Sequence, residues 1–249
     1  MSGRAQTVEV ARAATAAYAA PDPDLDDLRH QLSVVHRTRR APPEDDLAAW
    51  ARALADPAGA FPLLGTGRRA DTYPALLWGG ARLARAGAGA EVAVLLAGLA
   101  AGQQADRNAD DLGRAIRAGA AVDRALAAGE AVDPVARPTM AVLAAAAGAA
   151  LLTGTSTEGL VRVLDTAASL MVLTPGADVP GAAAVRPLWI GHACAAGWLA
   201  AVLPELGITA MPGALAHTLQ AATGTAPRDR TWLEHLGARS VRQLVQELG

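Results

Sequence analysis

The side chains able to do chemistry are few in this sequence: five histidines, one cysteine, and 22 basic residues that are all arginine. His30 and His36 stand six apart on a segment read as helix, which puts them on different faces and makes no metal pair. They read as solvated or partly buried helix residues. His192 lies in the run Gly-His-Ala-Cys-Ala, two residues before Cys194. No cation flanks Cys194, so it reads as a small buried hydrophobe and not as a nucleophile. A single cysteine also builds neither an intrachain disulfide nor a cysteine-based zinc site. Without lysine there is no Schiff-base chemistry and no P-loop lysine. The patterns G-x-S-x-G, H-E-x-x-H and Walker A are absent. Gly87-Ala88-Gly89 has no strand before it and is not read as a dinucleotide site. Arg68, Arg69, Asp71 and Tyr73 read as a solvated loop cluster. No metal and no cofactor is expected.

The elements that must position these groups follow from composition. The chain has 249 residues, 22 basic against 24 acidic, a net charge of −2, and 52% hydrophobic residues. That is enough apolar surface for a substantial core in one large domain or two small ones. The charge balance excludes the basic footprint of a nucleic-acid binder. The opening residues contain Glu9 and lack the apolar stretch of a signal peptide. The longest unbroken apolar run, Met140–Leu152, is shorter than the roughly 20 residues that cross a bilayer. The expectation is a cytoplasmic protein that contacts neither membrane nor nucleic acid.

Sixty-three alanines and only 3% aromatic residues, without sustained alternation, leave strands poorly supported. The pattern predicts an all-α fold, a single compact bundle of roughly nine to eleven helices. The predicted helices are Thr7–Ala19, Leu25–Arg37, Glu44–Ala55, Tyr73–Ala86, Val92–Gly102, Asp111–Ala128, Met140–Leu152, Gly159–Met171, Leu188–Leu203, Met211–Thr223, and one or two over Trp232–Leu248. Leu25, Leu28, Leu32 and Val35 fall on one face of the second. Asn108 or Asp110 caps the sixth, and Thr155–Glu158 matches a capping box ahead of the eighth. Leu63–Asp71 and Leu173–Ala184 read as loops. One domain over residues 1–249 is the simplest organisation, with N-terminal helices in 1–42, a helical core in 43–223 and C-terminal helices in 224–249.

The segment Arg186–Leu215 resembles a stretch of the 2-methylcitrate dehydratase (MmgE/PrpD) family. That stretch reads roughly K-x-L-H-x-G-x-A-x-x-x-G-x-x-A-A-x-L-A-x-x-G-F-T-G-P. Leu188, Gly191, Ala193, Gly197, Ala200, Ala201, Leu203, Gly207 and Thr209 fit the frame, Arg186 takes the Lys position, and Pro212 falls one position late. Shorter matches precede it in order: Leu64-Gly65-Thr66 with Pro74–Gly80, then Leu112–Arg124, then Arg137-Pro138-Thr139. The resemblance implies a helical domain, a homodimer, and metal-free removal of a proton next to a carboxylate with loss of water or CO₂. The departures are large. Residues 224–249 are too few for the family's α/β lid, Arg137 replaces the motif His before Pro-Thr, and Trp189 replaces the one after Leu.

What the resemblance implies for the site is a substrate carboxylate held by Arg186, whose planar fork suits it, and a hydroxyl donor in Thr139. His192 is the remaining acid/base candidate. Arg137 would also bind substrate, and Trp189, Trp78 and Met171 would wall a largely apolar pocket. The same residues admit plainer roles. His192 also reads as a core or interface histidine, and Arg186 as complementing a helix terminus or a dimer seam. Two functions stay open: a lid-less lyase, isomerase or cyclase acting on a small molecule, and a non-catalytic helical binding or scaffold subunit.

Overall fold

Alanine side chains let helix backbones approach more closely than leucine does, and the fold is built from such approaches. The computed structural model describes residues 3–21, 25–43, 45–128, 137–172 and 182–223. These form ten α-helices: α1 (Gly3–Ala19), α2 (Leu25–Arg40), α3 (Asp45–Leu54), α4 (Thr72–Arg85), α5 (Val92–Gln104), α6 (Ala109–Ala128), α7 (Arg137–Leu152), α8 (Thr157–Ser169), α9 (Ala182–Val202) and α10 (Ala214–Thr223). The protein is an all-α bundle. The predicted helices in 224–249 lie outside the described residues.

Helices α5, α7 and α9 occupy the middle. Every residue from Met140 to Leu152 is buried, and so is every residue from Val92 to Gly98. Helices apolar on all sides have no solvent face to offer, which is why they sit innermost. Helix α9 packs along α4, α7 and α5, while α7 also meets α6 and α8, and α1 lies across α6 and α8. Among the described residues, Val185–Leu206 alone is long and apolar enough to cross a membrane, and 50% of it is buried inside the fold. Arg186, His192 and Glu205 interrupt its apolar residues.

The α4–α9 crossing depends on two glycines. A Cβ on Gly191 would stand 2.2 Å from the Leu77 carbonyl oxygen, and one on Gly80 would stand 2.7 Å from the Gly191 Cα. The two backbones therefore touch directly, with Cys194 filling the space beside them. A smaller core lies at the periphery, where Ala51, Leu63, Ala70 and Ala75 surround Trp78. Trp50 of α3 meets Trp78 edge-on at 5.3 Å between ring centroids.

Several boundaries differ from the sequence reading. The expected loop Leu63–Asp71 contains most of a hairpin, β1 (Phe61–Pro62) paired antiparallel with β2 (Arg69–Ala70), Phe61 opposite Ala70. Two residues per strand are too few for alternation to register. Helix α7 begins at Arg137, because Pro138 is tolerated in a first turn whose N–H groups have no intrahelical partner anyway. Helix α9 begins at Ala182 and runs through Pro187, so 182–184 are not loop; residues 173–181 lie outside the described ones. Ser156, not Thr155, caps α8, its hydroxyl accepting from the Gly159 N–H at 3.2 Å. Asn108 caps α6, its Oδ1 accepting from the Asp111 N–H at 2.9 Å.

Replacing Gly191 with alanine forces its new methyl into the α4 backbone, which has no flexible end to move aside. Gly191→Ala is expected to lower stability by about 1–3 kcal/mol despite its better helix propensity, read by urea unfolding.

Candidate functional site

Two clefts stand out among the described residues. The larger, of about 560 Å³, lies between α2, the hairpin, α4, α5 and the start of α6. Its walls are apolar: Leu28, Leu32 and Val35 from α2, Phe61 and Leu64 from the hairpin region, Leu96 and Leu99 from α5, Leu112 from α6, and Leu152. Gly79, Gly98 and Gly102 line it as well; Leu96 and Leu112 pack close against the first two, while Gly102 has open room beside it. Its polar side chains are Gln103, in the last turn of α5, and Arg107 and Asn108, on the turn joining α5 to α6.

That turn has a defined shape. Asp106 adopts a left-handed backbone with φ 51°, and the Arg107 N–H donates to the Gly102 carbonyl at 2.9 Å. The Arg107 Nε–H then donates to the Leu152 carbonyl at 2.8 Å, closing the C-terminal end of α7. Beyond the turn, Asp111 pairs with Arg114, and the Arg114 guanidinium stands over the Tyr18 ring, 5.8 Å from its centroid. Burial, and then the nearby Asp111 carboxylate, push the Tyr18 hydroxyl above its ordinary value, so it stays protonated.

The residues singled out from sequence are not gathered in this cleft. Trp78 is fully buried, its Nε1–H donating to the Leu64 carbonyl at 3.0 Å, so it packs the small core. The side chains of Arg137 and Thr139 lie outside the described residues. Arg186, Trp189 and His192 succeed one another at three-residue intervals along α9, the first exposed and the other two partly buried. His192 places Nε2 at 2.8 Å from the Leu170 carbonyl at the end of α8, beside the partly buried Met171. The ring nitrogen donates there, so His192 closes a helix terminus. Cys194 is fully buried and its thiol is pushed up by desolvation.

The second cleft, of about 390 Å³, lies between the end of α8, residues 208–211 and the start of α10. Ile208, Met211 and His217 border it, and Leu170 does too, but His192 does not. Among the described residues, no group of three or more His, Cys, Asp and Glu side chains could hold a metal ion.

The α2 stripe of the larger cleft was legible in the spacing of Leu28, Leu32 and Val35. Arg107 carried no signal, being one arginine among 22 with no motif around it.

Truncating His192 to alanine leaves the Leu170 carbonyl unpartnered. His192→Ala is expected to cost about 1 kcal/mol of unfolding free energy in a denaturant titration. Cys194 is expected to resist a thiol-specific aromatic disulfide in the native protein and to react once the chain is unfolded, followed by absorbance.

No family model matches the chain, and no curated protein or solved structure matches it either.

Proposed function

We propose that this protein is a helical binding module that takes a small, largely apolar molecule into the cleft between α2, the hairpin, α4, α5 and α6. The observation that carries this reading is the cleft itself. Its volume of about 560 Å³ falls within the range of small-molecule sites, and on its walls Leu32 is exposed and Val35, Phe61, Leu64 and Leu99 are partly exposed to solvent. Apolar surface held open in this way gains free energy when covered, on the order of 25 cal/mol per Å².

The chemistry of the lining favours binding over the lyase, isomerase or cyclase reaction that the MmgE/PrpD resemblance implies. Proton abstraction needs a base within hydrogen-bond reach of the substrate. Among the described residues lining the cleft there is no Asp, Glu, His or Cys. The polar groups present, two amides and a guanidinium, orient a ligand by hydrogen bonding.

Gly102 offers a clean way to fill the cleft. A Cβ there would stand 3.8 Å from the Arg107 Cβ, an ordinary contact. Gly102→Leu is expected to keep or raise thermal stability, since it removes a helical glycine, and to weaken binding at least tenfold. The uncharged fluorophore N-phenyl-1-naphthylamine, whose emission rises in apolar surroundings, serves as the probe. A wild-type protein that leaves its emission unchanged, or equal binding by Gly102→Leu, would sink the proposal.

A further inference from the structure

Resting on that reading, we infer that the ligand is an amphipathic acid: an apolar body with one carboxylate head, held at the mouth of the cleft by Arg107. Among the described residues, Arg107 is the one charged side chain lining the cleft. Its position is fixed, because the Nε–H donates to the Leu152 carbonyl at 2.8 Å and Leu152 itself lines the cleft. That contact occupies the Nε edge of the guanidinium and leaves its two Nη groups as the donors for a partner. No carboxylate among the described residues forms an ion pair with it.

Neighbouring groups agree with this assignment. Asp111 is engaged by Arg114 and by the Asn108 N–H, and Asp106, Asp110 and Asp111 do not line the cleft. Asn108 uses its side-chain oxygen to cap α6, which leaves the amide NH₂ as a donor at the mouth. The first turn of α6 presents the positive end of the helix dipole on the same side.

The head group follows from desolvation. An apolar ligand filling the cleft strips water from a guanidinium and returns nothing, which is costly. A carboxylate repays that loss with charge-assisted hydrogen bonds to a planar fork. A single cation suits a single negative charge, and an ammonium head would face it unfavourably.

The test displaces N-phenyl-1-naphthylamine with decanoate, 1-decanol and decylammonium at neutral pH, below their aggregation concentrations. Decanoate is expected to bind about tenfold tighter than 1-decanol, decylammonium the weakest, and added salt should shrink the decanoate advantage. Arg107→Gln keeps an amide donor for the Leu152 carbonyl and removes the charge, so the acid-to-alcohol ratio should fall to about one. Equal displacement by decanoate and 1-decanol on wild-type protein overturns the anionic head while leaving the cleft as a binding site. An undiminished ratio in Arg107→Gln, shown folded by circular dichroism, overturns the assignment to Arg107. Failure of the fluorophore itself to bind overturns the binding reading instead.

Discussion

Helix ends have to be closed by something, and alanine has nothing to close them with. Each helix leaves its first N–H groups and last C=O groups without intrahelical partners, and in this chain several of the partners come from distant parts of the fold. Arg117 donates to the Ala17 and Ala20 carbonyls at the end of α1. Arg82 of α4, almost wholly buried, donates to the Thr38 and Ala41 carbonyls at the end of α2. Arg107 serves α7 and His192 serves α8. At the opposite pole, the buried Asp165 accepts from the Gly213 and Leu215 N–H groups and so starts α10. The guanidinium cations meet C-termini and a carboxylate meets an N-terminus, as the dipole requires. These ties orient smooth alanine-rich helices that would otherwise have little to fix their rotation.

This arrangement explains which parts of the fold the sequence disclosed. Composition and periodicity were sufficient for helix content and for most helix centres, because alanine, leucine and valine at helical spacing have no good alternative. Helix boundaries were less legible. Helix α10 starts at Ala214 and not at Met211 because its first N–H groups bind Asp165, far away in sequence. Ser156 displaced Thr155 as a cap, a choice between adjacent hydroxyls that spacing alone does not make. The hairpin at Phe61–Ala70 is specified by a short pairing and by the Trp78 indole reaching the Leu64 carbonyl, a contact invisible before folding.

The site was the least legible part. Histidine is the usual proton carrier, yet the His192 ring is the hydrogen-bond donor that ends α8. Arg107 resembles every other arginine in the sequence, and only the turn after α5 brings it to an apolar cleft. The cleft is bordered where a side chain is missing, at Gly102, and a void leaves no motif. The stripe on α2 was visible as an apolar face, but the spacing of Leu28, Leu32 and Val35 cannot say whether such a face meets another helix or a space.

The tie between α1 and the later helices has a consequence for the order of assembly. Helix α1 packs on α6, α8 and α10, and Thr7 donates to the same Asp165 carboxylate that starts α10. A chain emerging from the ribosome N-terminus first therefore exposes α1 before any of these surfaces exists. A single helix of 17 residues draws most of its stability from the surfaces it packs on, even when it is rich in alanine. Helix α1 must wait, its docking completed only when Asp165 and Leu215 have both been synthesised.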